Sequence, residues 1–398
     1  MTSNNPSFGY DTPLTELNLA QELFILTAVG RNPRTPVGIL SILAQHWEGQ
    51  DGVAGNPSTP AGILAVLSGS GHGMDVPRLV AENPNSPAGA LTALASHDFW
   101  PVRQGVARNP HTPAEVLAAL SSDEEYRVVE NVLKNPSTPA DVLTAHSAHH
   151  EPWNRSHVAG NPNTPVSILT ALASDPIWTV PALVAENPKT PITILTTLGS
   201  HAEYMVRMRV AGNPNTPVNI LTTLGSDAVE SVRERVARNP NTPASLLGAF
   251  AVCDDSHVRE GVARNPRASA VVLTALAADW DVYVRQSVAD NPNGPTNILA
   301  ALAALTDDRD MDVRINAAGN PSTPAVLLTA LAADRYSEVR QNVARNPNVP
   351  ASLLASLAQN RHESMDVRGE AIGNPNIPVS ILIAFAMIPS GGEAGLGV

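Results

Sequence analysis

The sequence predicts an all-α, right-handed superhelical solenoid of about 14 repeats of roughly 26 residues, alternating a short or 3₁₀ helix with an α-helix. Three observations lead there. An Asn-Pro pair recurs at Asn32, Asn56, Asn83, Asn109, Asn135, Asn161, Asn187, Asn213, Asn239, Asn265, Asn291, Asn320, Asn346 and Asn374; all but four of the steps are 26 residues, the others being 24, 27, 29 and 28. A leucine follows each pair at one fixed distance, from Leu40 to Leu382. No alternating β-branched run, the mark of a half-buried strand, occurs anywhere.

The second half of a repeat reads as a helix of about 10–12 residues. In Asn239-Pro240-Asn241-Thr242-Pro243, Thr242 stands as N-cap and Pro243 at the first helical position, where a missing N–H costs nothing. The unit with Ala268-Ser269 lacks both residues, while Gly294, Val349 and Ile377 keep the proline. Leu247 and Phe250 then share one face at i, i+3, and that face is the expected core. The first half, Val232 to Asn239, has apolar residues at helical spacing but is brief, and one or two turns are expected before proline forces Asn239 out of helical geometry.

A solenoid adds core one repeat at a time, so 398 residues are read as one elongated domain. Its expected parts are a degraded half-repeat as cap over 1–22, the repeats over 23–388 and a loose tail over 389–398. Of the 35 prolines, 27 occupy two fixed columns and are architectural. The net charge of −12 is spread so that no third of the chain is basic, which disfavours nucleic acid and anionic membrane as partners. A lone Cys253 excludes an intrachain disulfide. The first residues have no signal-peptide pattern and no apolar run approaches the ~20 residues that span a bilayer, so the expectation is a cytoplasmic protein.

The consensus V-R-x-x-V-A-x-N-P-x-T-P-x-x-L-L-x-x-L-A resembles the leucine-rich repeat variant family, and more distantly HEAT-type repeats. The resemblance covers roughly residues 23–388 and implies units that pair an α-helix with a 3₁₀ helix. A family member carries a cysteine-ligated iron–sulfur cluster beside its repeats; with one cysteine here, that cofactor does not carry over, and none is expected.

Function is therefore sought in columns. The Asn column reads as a ladder of Asx-type turns. Six residues before it stand Arg103, Arg155, Arg207, Arg233, Arg259, Arg285, Arg314, Arg340 and Arg368, unbroken from Arg207 onward. These arginines either hold neighbouring repeats in register through nearby carboxylates, such as Asp227 before Arg233, or line a stripe for a polyanion. Nine residues before the Asn stand Trp47, Trp100, Tyr126, Trp178 and Tyr204, as core stacking between repeats or as an interface for a protein partner.

Fourteen residues after the Asn stand His46, His97, His149 and His201, alternating with Asp123, Asp175 and Asp227, a pattern that suits helix ends. His146 and His150 lie at i, i+4, yet His146 fills a core leucine position, and no metal site is expected. Acidic neighbours disfavour Cys253 as a nucleophile. No hydrolase elbow, phosphate loop or dinucleotide fingerprint occurs. The expected function is a non-enzymatic scaffold for a protein or peptide; the alternatives are polyanion binding along the arginines and regulation or anchoring of a separately encoded enzyme.

Overall fold

The computed structural model describes residues 26–69, 75–291 and 305–386. The expected cap over 1–22 and tail over 389–398 lie outside them. The chain divides into two compact units, residues up to Lys189 and residues from Thr190. Among the described residues both units are helical throughout, without strands, and each is a stack of repeats.

A repeat is a pair of α-helices, as in Glu230–Arg238 followed by Ala244–Phe250. Their lengths are nine and seven residues, the reverse of the sequence expectation, and the first is α rather than 3₁₀. The first helix is short but one-sided, burying Val232, Val236 and Ala237. It is packed on the first helices of the neighbouring repeats, Tyr204–Gly212 and Ser256–Arg264. Small side chains allow that close approach: a Cβ built on Gly261 would stand 2.8 Å from the Cβ of Ala237. Proline ends the first helix as expected, with Asn239 extended at φ −68°, ψ 129°.

The capping expectation is corrected. Helix Ala244–Phe250 begins after Pro243, whose carbonyl accepts from Leu246 and Leu247 at 3.0 Å each, so proline itself is the N-cap. Thr242, fully buried, donates its hydroxyl back to the carbonyl of Val236 at the end of the first helix. Thr112 does the same to Val106 at 2.6 Å. Each of these carbonyls also accepts from the column asparagine's N–H, Val236 O from Asn239 N at 3.0 Å and Val106 O from Asn109 N at 3.1 Å, and the hydroxyl fills the second lone pair at a buried helix end. Where proline is absent, Ser269 caps with its side chain, accepting from Val272 N at 3.3 Å.

The second helix buries its leucine and the residue three on, Leu221 and Leu224 for example. Buried side chains of successive repeats merge, as in the second-unit cluster of Leu328, Leu331, Val339, Val343, Leu354 and Leu357. The outer positions of the second helices are small or β-branched, and among the described residues only Glu115 and Asp141 carry charge there. Thr170, Thr196 and Thr222 turn their hydroxyls onto carbonyls four residues back, each at 2.8 Å, so that methyl groups face outward. Apart from Glu115 and Asp141, from Arg34, Lys189 and Arg267 in the Asn-Pro turns and from Asp290 at a helix end, the described Asp, Glu, Lys and Arg residues lie on the first helices or the turns before them.

The Asn column is a set of joints. Asn265 is fully buried; its amide donates to Ala237 O at 2.6 Å and Asn239 O at 2.9 Å in the preceding repeat, while its Oδ1 accepts from Arg267 N at 2.8 Å. The same three bonds recur at Asn135 and Asn161 in the first unit and at Asn239 and Asn346 in the second.

Candidate functional site

The arginine column lies inside the turns. Arg259 spans its fork onto Asp279, Nε to Oδ2 at 2.7 Å and Nη2 to Oδ1 at 3.0 Å, and its Nη1 donates to the carbonyls of Cys253 and Asp254. Arg207, Arg285 and Arg314 hold Asp227, Asp308 and Asp334 in the same two-pronged way. Arg340 holds Glu363, while Arg233 reaches Asp255 with one prong at 3.0 Å because Cys253 occupies the usual acid position. Arg368 donates instead to Ala358 O and approaches the Met365 sulfur. In the first unit the pairs are Arg103 with Asp123 and Arg155 with Asp175.

The carboxylate reached is the one in the next turn. From the acid that precedes it in its own turn, an arginine takes the backbone carbonyl, as Arg233 does from Asp227 at 2.8 Å. The acid in turn opens the next helix, Asp227 accepting from Val229 N at 2.9 Å. Where the arginine is replaced by Pro77 or Val129, the residue twenty positions on is His97 or His149 rather than aspartate. Each imidazole keeps the turn-opening role: His97 Nδ1 accepts from Phe99 N at 3.0 Å, and His149 Nδ1 from Glu151 N at 3.2 Å and from Asn154 at 2.9 Å.

These pairs set an acid limit. The Arg207 guanidinium holds the Asp227 carboxyl below its ordinary value, and Arg340 does the same for Glu363. A lowered folded-state pKa means that the unfolded chain binds the proton more tightly. The stabilisation is whole above the ordinary carboxylate range of about 4 and is lost as pH falls through the lowered values. The urea midpoint is expected to hold from pH 7 to 5 and to drop steeply below pH 4. A midpoint unchanged at pH 3 would count against the pairs.

Two polar clusters resolve into structure. Glu230, Asp255 and His257 bring ligand-type atoms within 4.8 Å of one another. His257 Nδ1 is 2.6 Å from Glu230, and Asp255 is occupied by Arg233 and by the backbone N–H groups of His257 and Val258. His146 and His149 are joined through the buried side chain of Asn154. Burial pushes the Cys253 thiol up, and its sulfur donates to Asp255 O.

The aromatic column falls at the start of the first helices. Trp47, Trp100, Tyr126 and Tyr204 are each the first residue of a helix, and Trp178 immediately precedes one. That place adjoins the exposed turn. Trp47 is 60% exposed, Tyr126 55%, Trp178 41% and Tyr204 39%, while Trp100 is half-buried.

In the first unit the rings are linked into a row. Arg127 lies over Trp100, 5.1 Å from its centroid, and over Tyr126 at 5.6 Å, and its Nε donates to the Tyr126 hydroxyl at 3.1 Å. Tyr126 meets Trp153 edge-on at 6.2 Å, and Trp153 meets His157 at 5.9 Å. Trp153 was not legible as a member because Pro152 takes the column position and shifts the ring by one residue. Tyr204 stands in the second unit. There Trp280 and Tyr336, also outside the column, lie over Arg259 and Arg314 at 5.0 and 5.6 Å.

Residues 100–125, one repeat, match the family model described as leucine rich repeat variant. That repeat is a leucine-rich repeat variant unit. The solved structure titled "A leucine-rich repeat variant with a novel repetitive protein structural motif" is 24% identical with a TM-score of 0.37, the match covering 56% of this chain and 88% of that one. Kap121p bound to Pho4p is 12% identical (TM-score 0.27; 92% of this chain, 46% of that one), and importin beta in an ammonium sulfate condition is 13% identical (0.26; 90% and 46%). The chain thus spans under half the length of those two, and likeness at this level concerns the fold alone. None of the curated proteins compared with the chain matches it. No helix among the described residues is long and apolar enough to cross a membrane. The paired arginines thus join repeat to repeat, and in the second unit Trp280 and Tyr336 stack on two of them.

Proposed function

We propose that the chain is a non-enzymatic repeat scaffold that binds a protein or peptide partner through the aromatic row of its first unit, from Trp100 to Trp178. The observation that carries this reading is the linkage of Trp100, Arg127, Tyr126 and Trp153 beside exposed turns. Trp and Tyr supply large contact area at low conformational cost, which is why they dominate binding hot spots. The arginines from Arg207 to Arg340 favour a polyanion less, since each guanidinium already faces a carboxylate.

A photo-crosslinking amino acid placed at Trp178 tests the surface in cells. A discrete adduct is expected that is lost when Tyr126 and Trp153 are changed to alanine, and that does not form from Val166 on the second-helix face. Equal adducts from Val166, or indifference to the double change, would overturn the reading.

A further inference from the structure

We infer that the aromatic row is under the control of pH through the turns at His97 and His149, closed while the imidazoles are neutral and opened when they take up a proton. The inference rests on the proposed surface and names its regulation. In the first unit the acid positions of four successive turns alternate: His97, Asp123, His149 and Asp175. Each closes its turn through one acceptor atom. Asp123 Oδ1 accepts from Glu125 N at 2.9 Å and Asp175 Oδ1 from Ile177 N at 3.0 Å, where His97 and His149 offer Nδ1 to Phe99 N and Glu151 N.

A backbone N–H can only donate, so both Nδ1 atoms are bare and each neutral ring carries its hydrogen on Nε2. A further proton has only Nδ1 to settle on. There it sets one donor against another, and the bond that closes the turn is lost, for His149 together with the one from Asn154. Carboxylates go on accepting down to about pH 4, whereas histidine ordinarily changes charge between about pH 5 and 8. The supports alternate in step. The forks of Arg103 and Arg155 grip Asp123 and Asp175 from the preceding repeat, while Pro77 and Val129 stand where an arginine would have gripped His97 and His149.

His97 shares its cleft with Asp98 and Arg103 of its own repeat and with Asp123 and Glu124 of the following turn, and Arg103 is turned onto Asp123. Helix Ala88–Leu94 before it is uncharged, and on Asp75–Glu82 the Arg78 guanidinium is shared between Asp75 and Glu82. Around His149 stand His146, His150, Glu151 and Arg155, with Asp175 of the following turn held by Arg155. Asp141 lies at the opposite end of helix Ala140–His146; on Tyr126–Lys134, Glu130 takes Lys134 and Arg127 lies on two rings. Burial, His150 and His146 hold His149 below the ordinary histidine value, against the pull of Glu151. A lowered folded-state value means that the unfolded chain takes the proton more readily. The closed turn is therefore favoured in full above about pH 6.5 and lost as pH falls through the lowered value.

The loss reaches the rings because Trp100 directly follows Phe99 as the first residue of its helix, and Trp153 is the second residue of the helix that begins after Glu151. Trp100 sits against Arg127 and Trp153 against Tyr126. Opening stays local, since Asn109 and Asn161 keep the far ends of both helices joined to the preceding repeats. The urea midpoint holds while the row loosens.

Amide exchange of the full-length chain, followed residue by residue by NMR and referred to the unfolded-chain rate at each pH, tests the inference without a partner. From about pH 7.5 to about pH 5.5 the protection of Phe99 N and Glu151 N is expected to fall about tenfold, the effect of one lost hydrogen bond, while Glu125 N and Ile177 N in the same molecule hold theirs. His97→Asn with His149→Asn should abolish the fall, because an asparagine Oδ1 accepts from the N–H two residues on at either pH, as Asn109 does from His111 N at 3.0 Å. Equal falls at all four amides, no fall, or a fall that survives the double change would overturn the inference. The Trp178 crosslink, run in extract at the same two pH values, reads the regulation: the adduct is expected to weaken at the lower pH in the parent and to hold in the double variant. An adduct equally strong at both in the parent would overturn the regulation and leave the surface standing; no adduct at either would bring down both.

Discussion

Replacing Asn265 by alanine is expected to destabilise the second unit by about 2–4 kcal/mol, read as a fall in the urea midpoint. The change leaves the buried carbonyl of Ala237 without its side-chain donor, takes one of two donors from Asn239 O, which keeps Thr242 N at 3.0 Å, and removes the acceptor that shapes the turn at Arg267 N. A buried polar group left without its partner costs about 1–3 kcal/mol, and the loosened turn adds to it. Asn265 itself is fully buried. Asn241→Ala is the control: its amide also bonds the preceding repeat, at Pro214 O, but in an exposed position, and it should cost under about 1 kcal/mol. Equal costs at the two positions would show that burial is not what gives the column its strength.

Arg259→Ala is expected to cost about 3–5 kcal/mol, the range for breaking a buried pair from one side. The guanidinium and its partner Asp279 have side chains only 5% and 7% exposed. Without arginine, the Asp279 carboxylate keeps one backbone donor, Asp281 N, and the carbonyls of Cys253 and Asp254 lose theirs. Arg259→Lys should recover little, since an ammonium cannot span both carboxylate oxygens and two carbonyls at once. Removing both partners with apolar residues of similar size should cost much less than the two single changes added together. Strict additivity in that double-mutant cycle would mean that the two side chains do not act as a unit.

The helical repeat, its period and its leucine face were legible because each is written many times and obeys a simple spacing rule. The turn made by the Asn was legible for the same reason. What could not be read was anything decided by a partner distant in the chain. Thr242 next to Pro243 looks like a helix cap when only local residues are considered; the carbonyl of Val236 six residues back, which also accepts from Asn239 N, takes its hydroxyl instead. Arg233 has Asp227 close by in sequence, yet the side chain it meets is Asp255, across the following repeat. The length of the first helix was underestimated because its core contacts are to identical helices on either side, through Val232, Val236 and Ala237, rather than through a broad apolar stripe of its own. Trp153 escaped notice because a single proline displaced it.

The asparagine bonds reach back to the preceding copy, and within each unit the described copies present the same pair of backbone acceptors to the one that follows. A duplicated 26-residue segment would therefore arrive with a plug that fits its predecessor and a socket that fits its successor. Gain or loss of a whole copy by recombination leaves the surviving asparagine connections chemically unchanged, so such a chain can grow or shrink in steps without redesigning those seams.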